Sequence, residues 1–207
     1  MPYKYNKIKE AIEDFKKGKF VIVIDSKKRE GEGDFIAAAS KINPKKINFL
    51  LENARGAFIA VFTPSGLCKK LQIPNMLSLN NSFNKTNFRV SVDSIEGSSG
   101  SSAYDRAKTV NLFGSIKARP KDFVKPGHVI PIESNPGGIL KRKGHTEAGV
   151  LLAKLAGFNP PVAVDLEILD KTGKMAKEKY LFNLAKRFNL KIISINSLIE
   201  FYEDLHP

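Results

Sequence analysis

The chain has one cysteine and three histidines among 207 residues. A single thiol, Cys68, excludes an intrachain disulfide and any metal site built on several thiolates. It lies in Ser65-Gly66-Leu67-Cys68-Lys69-Lys70-Leu71, which reads as a short helix with the cysteine as a small, semi-buried side chain. With so few histidines, metal chemistry has to lean on carboxylates, and oxygen ligands favour Mg²⁺ or Mn²⁺ over Zn²⁺. No apolar run approaches the roughly 18 residues that a membrane span needs, so no membrane partner is expected. The segment Met-Pro-Tyr-Lys-Tyr-Asn-Lys has no apolar core of a secretory signal, and the cytoplasm is the expected location. Internal repeats and a Gly/Ser/Pro linker between domains are also missing. One domain spanning 1–207 is therefore expected.

Acidic residues are in short supply against basic ones. The formal charge is +13, which suits a nucleic-acid binder, a surface that draws in anionic metabolites, or a lysine-rich proteome. The lysines are dispersed along the chain, and no aromatic series is interleaved with them as a stacking platform for single strands would require. A basic nucleic-acid module stays as a rival reading, and it would show salt-sensitive binding to generic RNA or DNA.

Alternating strands and helices dominate what is present. Tyr5, Ile8, Ala11, Ile12 and Phe15 fall at helical spacing before Gly18. Phe20 to Ile24 is an apolar strand. Asn43-Pro44 caps a helix reaching about Ala54. Strands are expected over 57–62, 88–92, 128–132, 162–169 and 190–195. Helices are expected over 103–113, 146–156 and 175–188, with a last one carrying Leu198 and Ile199. Loops fill 72–87 and 115–127. This order predicts an α/β fold, a single domain with a mixed β-sheet flanked by helices in layers.

Two stretches carry chemistry. Arg29-Glu30-Gly31-Glu32-Gly33-Asp34 follows the apolar strand 20–24. Its glycines let carboxylates converge, and a divalent cation would relieve their repulsion. The competing reading is a solvated acidic turn. Arg142-Lys143-Gly144-His145-Thr146-Glu147 places a guanidinium, a hydroxyl and free helix N–H groups together, which makes a phosphate seat. There the competing reading is a basic loop with Thr146 as a plain cap. His128 stands at the mouth of a strand, where acid–base work is feasible. Asp165 and Glu167 lie within an apolar strand and, at a period of two, on one face. Ser98-Ser99-Gly100-Ser101-Ser102 could be a linker or could present backbone N–H groups to an anion.

Taken together with Ser101-Ser102-Ala103-Tyr104-Asp105-Arg106, Pro126-Gly127-His128-Val129, Leu155-Ala156-Gly157-Phe158 and Gly173-Lys174-Met175-Ala176, these motifs match a family over almost the whole chain. The sequence resembles the 3,4-dihydroxy-2-butanone 4-phosphate synthases of riboflavin biosynthesis. There is no room for the GTP cyclohydrolase II domain that some relatives carry, so the stand-alone form is expected. The resemblance implies conversion of D-ribulose 5-phosphate into L-3,4-dihydroxybutan-2-one 4-phosphate and formate by a Mg²⁺-dependent homodimer. It implies Glu30 and His145 as metal ligands, and Arg29, Asp34, Arg142, Lys143, Gly144 and Thr146 on the substrate. His128 and Glu167 would be essential to catalysis, with Glu32, Asp34 and Glu167 as candidates for the first proton acceptor.

Three departures from the family pattern stand out. Ile59, Ala60 and Val61 occupy the strand where relatives often carry a cysteine. Ser98-Ser99-Gly100 replaces a threonine-rich loop. The segment from Pro160 to Glu167 is one residue longer than usual, which leaves Asp165 as a rival to Glu167. These departures motivate a second rival, a non-catalytic binder of sugar phosphates.

Overall fold

The computed structural model describes residues 3–26 and 29–205. Its core is one seven-stranded sheet in the order β4-β5-β3-β6-β2-β1-β7. The strands are β1 (Val21–Ile24), β2 (Gly33–Ala38), β3 (Ile59–Thr63), β4 (Val92–Ser94), β5 (Phe123–Glu133), β6 (Ala163–Glu167) and β7 (Lys191–Ser194). β1 runs parallel to β7 and β3 parallel to β5, while the other pairings are antiparallel. The sheet is mixed, as the sequence led us to expect.

Helices cover both faces because the central strands are apolar on both sides. Along β1 and β2, Ile22, Ile24, Phe35 and Ala37 face one core, whereas Val21, Val23, Ile36 and Ala38 face the other. Against the first core pack α2 (Pro44–Asn53), α4 (Ala103–Phe113) and α7 (Glu178–Phe188), through Ile47, Leu50, Val110, Phe113, Leu181 and Leu184. Against the second pack α1 (Ile8–Lys16), α6 (His145–Leu155) and α8 (Ile195–Asp204), through Ala11, Phe15, Ala148, Leu152 and Leu198. Short helices α3 (Leu67–Lys70) and α5 (Gly138–Lys141) complete the layers. Cys68 is fully buried in α3, and burial pushes its thiol up to about 12, so it behaves as a small apolar side chain.

Helix α6 sits close to the sheet because of Gly149. A Cβ there would come within 2.7 Å of the Phe62 ring and 3.2 Å of Ala163. The missing side chain lets the helix approach, and this sets the height of its first turn, His145-Thr146, over the strands.

The structure corrects several expected elements. The stretch 88–92 is mostly irregular: Arg89 bridges Asn75 and Phe88 bridges Ile132, and regular pairing begins only at Val92. β2 had not been expected, because Gly31, Gly33 and three carboxylates mask the strand that Phe35 and Ile36 continue. β5 begins five residues before the predicted 128, running through Lys125-Pro126-Gly127. Local turn chemistry suggested a loop there. Between Val124 and Val129 the β5 chain bows out opposite the adjacent residues Asp93 and Val92, so Pro126 lies in a bulge, one of the places in a sheet that tolerate proline.

Candidate active site

The acidic stretch proves to be the tip of the β1–β2 hairpin. Ile24 lies opposite Gly33, so everything from Asp25 to Glu32 belongs to the connection. Asp25 organises it: one carboxylate oxygen accepts the Glu32 backbone N–H at 3.0 Å and the other accepts from Arg29 Nη1 at 2.8 Å. The same guanidinium nitrogen reaches Glu30 at 2.6 Å. Helix α6 points its first turn at this tip. His145 is buried, with Nε2 3.1 Å from the Val23 carbonyl and Nδ1 3.3 Å from Asp34. A carbonyl can only accept, so Nε2 carries the hydrogen and Nδ1 keeps a lone pair. Burial holds the imidazole below its usual range, in the neutral form that metals bind.

Asp25, Glu30 and His145 each offer a ligand atom within 4.8 Å of the others. Ligands on opposite sides of Mg²⁺ stand roughly 4.2 Å apart, so a small closure would seat such an ion. The donor set, two hard carboxylates and one neutral imidazole, fits Mg²⁺ or Mn²⁺. Glu30 and His145 were anticipated as ligands. Asp25 was missed, although as the first polar residue after the run 20–24 it carried a usable signal.

Four more acids crowd the same end of the sheet. The register sets Asp34 opposite Glu167 and Ile36 opposite Asp165, so the expected shared face for Asp165 and Glu167 is observed. Asp34 and Asp165 are each about 4% exposed and their carboxyls touch. One oxygen on each lacks a hydrogen-bond partner among the described residues. Burial and neighbouring carboxylates push Asp34 up to about 7 and Asp165 well above its ordinary value. Glu32 rises to about 7, first from burial and then from Glu30, Asp34, Glu167 and Asp25. Glu167, at the rim, is raised by partial burial and by Asp34.

These shifts have a stability consequence. Between the ordinary carboxylate range near 4 and about 7, the folded chain holds protons that the unfolded chain has lost. Stability must therefore fall as pH rises through that window. In EDTA, melting at pH 8 should lie below melting at pH 5.5, by roughly 2–4 °C for each kcal/mol lost. Added Mg²⁺ should recover more at pH 8 than at pH 5.5. A melting temperature independent of pH would contradict the crowded-acid reading.

The basic side forms the opposite wall. Arg142 is held by Glu147, Nη1 to Oε2 at 2.7 Å, and its Nη2 donates to Thr86 Oγ1 at 2.9 Å. Glu147 is itself buried and accepts the Asn135 backbone N–H at 2.9 Å. Thr146 lies buried in the opening turn of α6, whose N-cap is Gly144. A fixed guanidinium beside a threonine hydroxyl and a helix N-terminus can seat a phosphate. A small cavity of about 100 Å³ joins the two walls, lined by Arg29, Glu30, Asp34, Arg142, His145, Thr146, Asp165 and Glu167 among others. Phe58, Phe62 and Phe88 supply its apolar floor. Asn84 donates to Glu30, so the loop expected over 72–87 reaches over the hairpin tip. Nothing local in the sequence marked Thr86, Asn84 or Phe88.

Not every anticipated residue meets that cavity. Lys143 is exposed and off its wall, Glu32 is half-buried and does not line it, and Gly144 contributes backbone only. His128 does not line the cavity either. Along β5 it stands four residues before the lining residue Ile132, roughly 13 Å at strand rise, while across the sheet the adjacent Val129 pairs with Ile59, between the lining residues Phe58 and Ala60. Its neighbour is Asp93, 2.7 Å from its Nδ1.

Comparison with known proteins finds relatives over most of the chain. Residues 9–201 match the family model for 3,4-dihydroxy-2-butanone 4-phosphate synthase. The chain is similar to the riboflavin biosynthesis protein RibBA of Aquifex aeolicus, 46% identical over 202 residues, covering 96% of this chain and 49% of that protein. It is likewise 45% identical to the RibBA of Parabacteroides distasonis over 198 residues, covering 95% of this chain and 48% of the relative. The chain thus spans about half the length of these curated relatives. Among solved structures, a 3,4-dihydroxy-2-butanone 4-phosphate synthase in complex with two magnesium ions superposes with TM-score 0.93 at 33% identity, covering 97% of this chain and 98% of that one. The two-domain RibBX of A. baumannii superposes with TM-score 0.90 at 37% identity, covering 95% and 57%. Among the described residues, no helix is long and apolar enough to cross a membrane.

Proposed function

The chain belongs to the 3,4-dihydroxy-2-butanone 4-phosphate synthase family, and from that premise we propose that it converts D-ribulose 5-phosphate into L-3,4-dihydroxybutan-2-one 4-phosphate and formate for riboflavin synthesis. The observation that carries this reading is one cavity with a metal-type cluster on one wall and an anion seat on the other. We read residues 1–207 as a single synthase-like domain, which the one continuous sheet supports.

Asp25, Glu30 and His145 would hold the divalent cation. Bound there, Mg²⁺ or Mn²⁺ supplies electrophilic polarisation of the ketose oxygens. Arg142, Thr146 and the start of α6 fix the phosphate, with Glu147 orienting the guanidinium. Anchoring that end holds the carbon chain still and limits competing elimination. Arg29 and Asp34 flank the sugar. A carboxylate with a value near 7 suits removal of a carbon-bound proton at neutral pH. Asp34, with Asp165 against it, and Glu167 line the cavity, whereas Glu32 does not, so the first two positions are favoured as the acceptor.

His128 calls for a second copy. Within one chain it does not line the cavity, and its ring is paired with Asp93. We therefore propose a homodimer in which each subunit receives His128 from the other. Leu77, Leu79 and Phe83 of the loop 72–87 are exposed, Phe83 by 96%, and would be covered in that assembly. A cytoplasmic setting follows from the substrate, since sugar phosphates are charged and do not cross membranes unaided.

The deciding assay is formate release from D-ribulose 5-phosphate with Mg²⁺ and then with EDTA. Metal-dependent formate with an equal amount of the four-carbon phosphate is expected. Binding of the substrate without formate from folded protein would favour the non-catalytic reading.

A further inference from the structure

Away from the cavity, the most tightly built polar cluster is centred on Asp93. Its carboxylate is buried and serves two donors on a single residue. Oδ1 accepts the His128 backbone N–H at 2.9 Å, and Oδ2 stands 2.7 Å from His128 Nδ1. The β4–β5 ladder shifts register between Val92 and Asp93, a bulge of the kind that re-aims a side chain. The serine loop then closes over the pair. Asp105 pins that loop at both ends, accepting from the Ser98 N–H and hydroxyl and from the Ser102 hydroxyl. Its central residue, Gly100, has φ +82° and packs so close that a Cβ would overlap the Asp93 carboxylate and the His128 ring. Neither the metal cluster nor the phosphate seat requires any of this.

The geometry fixes a tautomer. A backbone N–H can only donate, so Oδ1 is committed to it. Oδ2 of an ionised carboxylate can only accept, so Nδ1 must carry the ring hydrogen. The lone pair is left on Nε2, on a side chain that is 43% open to solvent. We propose that Asp93 is the positioning residue that sets His128 as the Nδ1–H tautomer, so that Nε2 accepts a proton during the synthase reaction, with the 98–102 loop as the clamp. This rests on the synthase reading above. With the carbon-bound proton taken by the carboxylates above, Nε2 takes the hydroxyl proton of the resulting enediol as that oxygen becomes a carbonyl, and the C1–O bond breaks. The imidazolium so formed is stabilised by Asp93. The same proton can return to the departing hydroxyl as water leaves, so no co-reactant is needed.

Asp93→Asn gives an unusual test. The backbone N–H still demands the amide oxygen, so the amide NH₂ must face Nδ1. That forces Nδ1 to accept and moves the ring hydrogen to Nε2. The substitution should invert the tautomer and leave the fold in place. In ¹⁵N-histidine-labelled protein, two-bond ¹H–¹⁵N correlation spectra report the tautomer directly, and His128→Gln identifies the resonances. Wild type should show Nδ1–H and Asp93→Asn should show Nε2–H. The inversion should lower kcat about 10³-fold or more, with KM changed by no more than about threefold. A wild-type Nε2–H tautomer would overturn the proposal whether or not the variant folds. So would an inverted variant with wild-type turnover. If wild type shows Nδ1–H but releases no formate, it is the synthase reading, and with it the proton-accepting role, that fails, while the tautomer assignment stands.

Discussion

Glu30→Gln should lower formate release by about 10³-fold or more, because a neutral amide cannot replace a carboxylate as ligand to a hard cation. The substitution is isosteric and Glu30 is only half-buried at a hairpin tip, so the fold should survive. Two readings separate a lost ligand from a damaged chain. Wild-type melting should rise with Mg²⁺, since a ligand that binds only the folded state stabilises it, and the variant should show little or none of that rise. Excess Mg²⁺ should restore part of the activity. His145→Ala should be equally inactive but also less stable, because removing the buried ring deletes the bond to the Val23 carbonyl, at a cost of about 1–3 kcal/mol. Near-wild-type turnover in either variant would contradict the ligand assignment.

Two inactive variants should complement one another. His128→Ala leaves the cavity intact and Glu30→Gln leaves His128 intact, so each alone should be nearly inert. In the proposed homodimer, equal amounts refolded together give half of the dimers with one of each. If His128 serves the site of the opposite subunit, each mixed dimer has one site with both native residues. Activity should then reach about a quarter of wild type. If His128 served its own chain, both sites of a mixed dimer would carry a defect and activity would stay near zero. The side chain of His128 is substantially exposed, so truncating it should cost little stability. Recovery without a change in melting temperature would be the cleanest form of the result.

Much of the architecture was legible because its determinants are local. Asn43 caps α2 by accepting from the Lys46 N–H at 3.0 Å, and Ser102 caps α4 in the same way. The spacing of Ile8, Ala11 and Phe15 foretold the buried face of α1. Strand β2 was hidden because its first residues are glycine and aspartate. Strand β5 was shortened because Pro126-Gly127 carries turn chemistry in most contexts, and here it lies in a β-bulge. The expected grouping is seen in placement for Glu30 with His145 and for Arg142 with Thr146, on two walls of one cavity. It does not extend to Lys143, which points its charge into solvent.

What the sequence alone determined is which groups could do chemistry and on which element each rides: alternation put Asp165 and Glu167 on one face, and motif order pointed to the family. The tertiary structure decided which of them meet. Asp25 joins Glu30 only because the hairpin folds back, and His145 reaches both from 122 residues beyond Val23. The β2–β6 register then buries Asp165 against Asp34 and leaves Glu167 at the rim. Helix periods and caps act over three or four residues and can be read in order. Register and layer packing couple residues with no sequence relation, so only the folded sheet fixes the distances among these charges.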